Sequence, residues 1–489
     1  MKDTDISNYM KIRNILRYIG TSLLMVSALM LVSGLISLYY GGDDSMMPLF
    51  YSALITATVG GFPFLFTSRV VRLSVKEGYF VVVGAWLCGS LFGMLPFLMY
   101  GGEFSFANSF FETVSGFTTT GASILNDIES LPRGLLFWRM ATSWVGGIGI
   151  VTLFSMLIPN TAEKSVLTSV EISGMASDNG GGGKRLFVQH MFIVYVAITA
   201  ITAVALKLAG MGWFDAVANA MSACSTCGFC TKNASIAAFQ SPLIEYIIII
   251  AMTLAALNFS LLFVSMLKGN HARVFKSETV RCFLGVALVS SLIITVNLLV
   301  SGDYNSFEKA FRAALFQVCS ISSTTGFATA DTTLWPGLSI FIIILCSFFC
   351  GCSGSTSGGM KIDRAVIAGK AIRQHIVNLH NPHGVTLIKV NGNAKPKEMV
   401  YDVFQFIVCY LVIVVSFAVV NLICGQDLTT SVTASIACMG NVGPGFGEVG
   451  SCGNYAEFPA FIKFTSAFEM LLGRLEIFPM LYFLGLRKD

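Results

Sequence analysis

The stretch Thr118-Thr119-Thr120-Gly121 recurs in altered form three more times, as Ser225-Thr226-Cys227-Gly228, Ser323-Thr324-Thr325-Gly326 and Gly440-Asn441-Val442-Gly443. The glycines stand at 121, 228, 326 and 443, at intervals of 107, 98 and 117 residues. Each copy lies between two long apolar runs and directly behind a short half-apolar segment. One Thr/Ser-Gly cluster is an ordinary helix-connecting turn. Four copies in the same setting are an internal repeat, and internal repetition specifies architecture. The chain therefore reads as four units of apolar helix, short helix, extended loop and apolar helix.

Composition sets the environment of these units. Of 489 residues, 54% are hydrophobic and only 12% charged, where a soluble domain carries about 25% charged residues. The expected fold class is an all-α polytopic membrane protein. A net charge of +4 with no basic stripe gives no sign of nucleic-acid binding. Residues 1–17 are charged and carry no cleavage signature, so the first apolar run is expected to be a retained span. The 13 cysteines lie mostly in apolar runs, where cysteine behaves as a small hydrophobe, and no disulfide framework is inferred.

Runs of about 20 apolar residues can cross a bilayer. They place spans near 18–40, 48–67, 78–100, 135–158, 186–209, 243–267, 282–301, 337–360, 399–424 and 461–486. The short segments near 104–117, 213–224, 305–321 and 428–438 cannot cross as helices and must dip in and return, which is tolerated only where backbone is buried or lines water. With the N terminus inside, the inner segments hold 23 Lys/Arg and the outer ones 6, so both termini are expected inside and all four short segments outside. The expected divisions are 1–70 (two leading helices), 71–160, 161–270, 271–395 and 396–489 (the four repeats). Gly180–Gly183 makes a flexible inner linker, and 361–397 a basic inner loop with His375, His380 and His383.

The repeats imply a chemistry. A dehydrated cation needs oxygen ligands that bind without trapping it. Ser and Thr offer carbonyl and hydroxyl oxygens, Gly permits unusual backbone angles, and a short helix aims its partly negative C-terminal end at the ion. The four loops, Thr118, Thr119, Thr120, Gly121; Ser225, Thr226, Cys227, Gly228; Ser323, Thr324, Thr325, Gly326; and Gly440, Asn441, Val442, Gly443, are expected to meet on one axis as a cation filter. A second constellation, Gly351-Cys352-Ser353-Gly354-Ser355-Thr356-Ser357-Gly358-Gly359, interrupts the second long helix of repeat three. It is either a backbone segment lining a cavity, and then a gate, or a helix terminus followed by a loop. Arg474, deep in the last apolar run, either faces the path or pairs with Glu469 or Glu476; buried charge at such depth is usually functional. Arg139 is expected to be structural, paired with Glu112.

Other motifs fail on context. Gly354-x4-Gly359 has Met360 where a phosphate-binding loop has lysine, and Gly445-x-Gly447-x-x-Gly450 follows a short helix rather than a strand. Cys224-x2-Cys227-x2-Cys230 lacks a fourth cysteine at cluster spacing. Inner-loop histidines are usually solvated. No catalytic triad or metal cluster stands out, so no enzyme activity is expected.

The segments Ser115-Gly116-Phe117-Thr118-Thr119-Thr120-Gly121-Ala122, Ser225–Phe229, Ser323–Phe327 and Asn441–Gly445, with Trp138-Arg139 and Trp144–Gly149, resemble the Trk/Ktr/HKT superfamily of potassium transporters, its bacterial TrkH-type members in particular. The likeness is specific over about 70–489, and two extra leading spans favour the TrkH type. It implies four linked repeats around a pseudo-fourfold pore, potassium as substrate at the filter, and an intramembrane gating loop with a nearby arginine. Glycine at 121 implies potassium selectivity, since sodium-permeable plant relatives carry serine there. Cys227 and Cys230 depart from the family's usual Gly and Ser/Thr. The resemblance further implies the bacterial inner membrane, a homodimer, and a cytoplasmic TrkA-type ring through which ATP/ADP or NAD acts. The alternative is a secondary transporter (symporter) coupling potassium to protons or sodium, although such proteins usually have inverted repeats.

Overall fold

The computed structural model describes residues 3–66, 74–149, 184–267, 269, 272–380 and 387–485. The Gly180–Gly183 linker, His383 and the boundaries near 70, 160 and 270 lie outside the described residues. Two leading helices, α1 (Asp3–Tyr39) and α2 (Met46–Phe66), pack side by side. A Cβ on Gly20 would come within 2.5 Å of the Gly60 carbonyl oxygen, so small residues set this crossing, as is common between membrane helices. The connecting turn is pinned by Asp43, which accepts from Ser45 Oγ (2.5 Å), from Ser37 Oγ and from the Gly134 amide at 3.3 Å. Burial alone would push this carboxyl up, but these hydroxyls and amides outweigh it and hold it below the usual range.

Repeat one comprises α3 (Val75–Gly93), α4 (Leu95–Tyr100), the short α5 (Phe106–Phe117) and α6 (Arg133–Ile148). Repeat two comprises α7 (Lys184–Leu208), the short α8 (Trp213–Ser225), α9 (Pro242–Ala255) and α10 (Phe259–Leu267). In repeat three, α11 (Ala272–Lys276) leads into α12 (Glu278–Ser301), the short α13 (Phe307–Ser322) and α14 (Gly337–Cys346). After a loop, α15 (Ile362–His380) follows. Repeat four holds α16 (Lys397–Ile423), the short α17 (Leu428–Gly440), α18 (Ala460–Arg474) and α19 (Phe478–Phe483). The four short apolar segments of the sequence fall on α5, α8, α13 and α17. Their burial on nearly every face agrees with re-entry inside a bundle rather than exposure to lipid.

Ten full spans were expected, the one at 337–360 interrupted by Gly351–Gly359. Among the described residues six helices are long and apolar enough to cross, plus the pair α9–α10, which bends by 101°. The difference lies in the helix that follows each loop. Helices α6, α14 and α18 have 16, 10 and 15 residues, and α9 breaks at Ala256–Asn258. Apolar composition extends past each helix end, so hydropathy alone does not reveal the stops. At the α18–α19 break, Glu476 and Ile477 have φ of 56° and 65°, values a β-branched residue adopts only under constraint.

Segment 361–397, read as a loop, contains α15 and a hairpin of β1 (Lys389–Val390) and β2 (Asn393–Ala394). Asn391 and Gly392, both at positive φ (52° and 82°), form its two-residue turn. Helix α15 is polar enough to resemble a loop by composition. It is held by burial of Ile362 and Ile367 and by the Arg364 guanidinium, 3.7 Å over the Phe406 ring. His375 and His380 lie on this helix.

Candidate functional site

The short helices α5, α8, α13 and α17 end in the same way. The amide of Thr120 donates to the Ser115 carbonyl (2.9 Å), Cys227 to Ser222 (3.1 Å), Thr325 to Ser320 (2.8 Å) and Val442 to Ala437 (2.9 Å). This six-to-one closure requires a left-handed residue just before it. Those residues are Thr119, Thr226, Thr324 and Asn441, at φ of 56°, 56°, 61° and 52°. Glycine usually fills that place. Three threonines there store strain of about 1–3 kcal/mol each, so their surroundings must hold them. Two residues later Gly121, Gly228, Gly326 and Gly443 also have positive φ, from 80° to 93°.

The four loops form a closed cycle. A Cβ on Gly121 would lie 1.8 Å from the Cys227 carbonyl oxygen; on Gly228, 2.1 Å from that of Thr325; on Gly326, 2.4 Å from that of Val442; and on Gly443, 2.4 Å from that of Thr120. Each glycine is thus pressed against the backbone of the next repeat, and the fourth returns to the first. All four glycines line one cavity of about 130 Å3. Among the described residues the carbonyls of Thr120, Gly121, Cys227, Gly228, Thr325, Gly326, Val442 and Gly443 accept no hydrogen bond from the protein. Buried carbonyls are nearly always paired, and carbonyl oxygens left without a protein donor are free to replace water around a dehydrated cation. Hydroxyls brace the loops: Thr118 Oγ1 and Thr120 Oγ1 share a bond of 2.8 Å, and Ser323 Oγ and Thr325 Oγ1 one of 2.7 Å. Thr226 Oγ1 donates to the Ser225 carbonyl, and Asn441 Nδ2 donates to Thr120 Oγ1 at 3.0 Å, tying loop four to loop one. At the rim of this cavity Lys232 Nζ donates to Glu129 at 2.9 Å and Asn233 Nδ2 to Asp127 at 2.8 Å, and these bonds hold both carboxyls below their usual ranges.

Behind the left-handed residues, at the other end of the loops from the glycines, lies the Gly351–Gly359 segment, which is not helical. Ser357 Oγ donates to the Ser323 carbonyl (2.8 Å), and the Gly358 amide donates to Thr324 Oγ1 (3.0 Å). Thr356 Oγ1 reaches the Cys224 carbonyl (3.0 Å). A Cβ on Gly358 would meet the Gly440 carbonyl oxygen at 2.8 Å, and one on Gly359 would meet Cys350 Sγ at 2.4 Å. The segment also satisfies the broken helix of repeat two. The Cys352 amide donates to the Ala256 carbonyl (2.8 Å), the Phe259 amide to the Gly354 carbonyl (3.0 Å) and Asn258 Nδ2 to the Ser353 carbonyl (2.7 Å). Ser355 Oγ donates back to the Cys352 carbonyl, and Gly351 packs against Ser357. Freed helix-end groups at membrane depth need such partners.

Arg474 fastens this segment to repeat one. Its Nη1 donates to the Thr356 carbonyl (2.8 Å) and its Nη2 to the carbonyls of Gly146 (2.6 Å) and Gly147 (2.8 Å). It stands at a helix end, not in mid-span as the sequence implied, because α18 stops there. Glu476 is instead held by Lys361 (3.3 Å) and Arg364, and Glu469 by Ser435. Arg474, Lys361, Glu476 and loop residues Gly354, Ser355 and Ser357 line a cavity of about 60 Å3. Arg139 and Glu112 pair as expected, at 2.6 Å and 1% exposure each. Glu112 also accepts from the Ile124 amide at 3.0 Å. Sequence reasoning missed Asn258, the Gly146 and Gly147 carbonyls and the Lys361–Arg364–Glu476 cluster. The one available signal was Asn258 within an apolar run. Its Oδ1 accepts from the Leu261 amide (2.9 Å), a helix-start bond.

Residues 49–486 match the family TrkH, described as a cation transport protein. The Trk system potassium uptake protein TrkH of Halomonas elongata is 34% identical over 476 residues, covering 96% of this chain and 97% of its own length. TrkH of Escherichia coli K12 is 32% identical over 479 residues, with 96% and 98% covered. The crystal structure of the potassium transporter TrkH from Vibrio parahaemolyticus superposes with a TM-score of 0.88 at 30% identity, covering 97% of this chain and 99% of that one. This chain is a member of the TrkH family of membrane cation transport proteins.

Proposed function

We propose that this protein takes up potassium across the bacterial inner membrane by a channel-like path. Thr118–Gly121, Ser225–Gly228, Ser323–Gly326 and Gly440–Gly443 form the filter. Gly351–Gly359 with Arg474 is the gate beneath it. The observation that carries this reading is the cyclic packing of four glycines against four unbonded carbonyls. A backbone ring replaces the ion's hydration without a strongly binding anionic side chain, so the ion can leave. Below it, Arg474 places a fixed positive charge beside the path while bolting the loop to repeat one. Opening then requires release of the loop from Ser323, Thr324 and Arg474. The reading includes a homodimer and a TrkA-type cytoplasmic ring that supplies nucleotide control, as the resemblance implies.

The test is flux into liposomes holding the purified chain under potassium or sodium gradients. Potassium flux well above sodium flux, lost in Gly121→Asp, supports the filter. Equal fluxes of both ions would overturn selectivity at Gly121. Arg474→Ala should conduct more than the parent, and equal rates would overturn the gate. A second reading, coupling to protons or sodium, is favoured by Glu469, a carboxylate 1% exposed and held by the Ser435 hydroxyl. A reversal potential that follows potassium alone excludes it.

A further inference from the structure

A separate cavity of about 520 Å3 opens where α11, the start of α12, the Asn391–Gly392 turn and the base of the loop at Cys352–Ser353 come together. Ligand pockets span about 300–1,000 Å3, so it is large enough for a small molecule or a headgroup. Its walls carry Arg273, Lys276 and Arg281, all exposed. Among the described residues none of the three is in an ion pair. The two carboxylates of the same walls are engaged elsewhere. Glu278 accepts from Lys370 Nζ and from the Asn391 amide, and Asp363 accepts from the Ser353 amide at 2.6 Å. The cavity therefore presents a surplus of cations, with Arg281 also within electrostatic reach of Glu278, and two of the three are guanidinium forks that match phosphate oxygens in pairs.

We propose that this cavity binds a phosphate-bearing anion, and that its occupancy holds the Gly351–Gly359 loop in place. The coupling runs through the shared wall. Asp363, 5% exposed, lines the cavity and anchors Ser353, whose carbonyl is held in turn by Asn258 at the bend of repeat two. The loop leaves the wall from this residue. An anion bridging residues 273–281 to that wall binds the anchored arrangement better than the released one, and so shifts the equilibrium toward it. This inference rests on the loop acting as the gate.

Two sources share the chemistry: a soluble polyphosphate and the headgroup of an anionic lipid. The purified full chain is titrated with pyrophosphate by calorimetry, and retained phosphatidylglycerol is counted by native mass spectrometry. The comparison is with the triple variant R273Q/K276Q/R281Q, whose changes lie at exposed positions. The expected result is that one of the two ligands binds the parent and loses about 100-fold or more in affinity in the triple variant, since each charge-assisted contact is worth roughly tenfold. Whichever ligand behaves so identifies the source. Equal behaviour of parent and triple variant toward both ligands overturns the site. Potassium flux is then measured in phosphatidylcholine vesicles with and without the ligand, with Arg474→Ala as control. The ligand should lower parent flux and leave the triple variant unchanged. Binding without any flux change, in a protein whose Arg474→Ala control does raise flux, overturns the coupling. An Arg474→Ala control that leaves flux unchanged overturns the gate reading instead, and leaves the binding result standing.

Discussion

At Gly121 two constraints act on one atom. Its φ of 80° disfavours any L side chain, and a Cβ would stand 1.8 Å from a backbone oxygen that cannot swing aside as a flexible side chain could. Gly121→Ala should therefore displace the Cys227 carbonyl. A loss of about 1.4 kcal/mol in the preference for potassium over sodium corresponds to a tenfold lower flux ratio. Parallel rubidium and sodium uptake measures it, and an unchanged ratio would show that this carbonyl does not discriminate. The Arg139–Glu112 pair makes a different kind of demand. Both groups are buried, and the guanidinium also stacks 3.5 Å over Phe229 and donates to the Cys230 carbonyl. Removing one partner strands the other charge at about 3–5 kcal/mol, so Arg139→Ala should unfold at clearly lower temperature in detergent. The double variant Glu112→Gln/Arg139→Met should recover part of the loss, because Gln can still accept from the Ile124 amide. This pair was legible from the sequence: two charges of opposite sign in adjoining apolar segments have few other partners.

The loop between α14 and α15 is an element defined by its hydrogen bonds rather than by its own regular structure. Thr324→Val keeps the shape of the side chain but removes the acceptor of the Gly358 amide. An unsatisfied buried donor costs about 1–3 kcal/mol, a shift of roughly 5- to 150-fold toward a released loop. Potassium flux should rise accordingly, and unchanged flux would mean the loop is not held there. The Gly/Ser richness of 351–359 marked a non-helical segment in the sequence. Several of its partners did not show there, because they are the carbonyls of Ala256, Cys224 and Ser323, and a carbonyl has no letter of its own. The same limit hid the true position of Arg474. Residues 475–486 stay apolar past the helix end, so the break at Leu475–Ile477 appears only in the backbone. Helix α15 was missed for the opposite reason: its composition is that of a loop, and it is held by the burial of Ile362 and Ile367 and by a neighbour's ring at Phe406.

Across the molecule, the second helix of repeats two, three and four breaks close to the loop, and the described part of that helix in repeat one ends where Arg474 bonds its carbonyls. Orientation can be read from one side chain. Of the 13 cysteines Cys452 alone is exposed, and it lines the same cavity as the four glycines. A membrane-impermeant thiol reagent added from outside intact cells should label Cys452 and slow potassium uptake, while Cys452→Ser should be resistant. Labelling only after the inner face is opened would reverse the assigned orientation. The ring of loops, finally, has a direction of rotation. Gly121, Gly228 and Gly326 each lean on the repeat that follows in the chain, and Gly443 leans on the first. An enlarged side chain at one of these glycines should therefore disturb the following loop first. Enlarging residue 121 presses on repeat two, whereas enlarging residue 443 presses on repeat one. Four identical subunits would share that handedness but have no seam, whereas in this chain the cycle closes at one contact between the fourth loop and the first, Gly443 against Thr120.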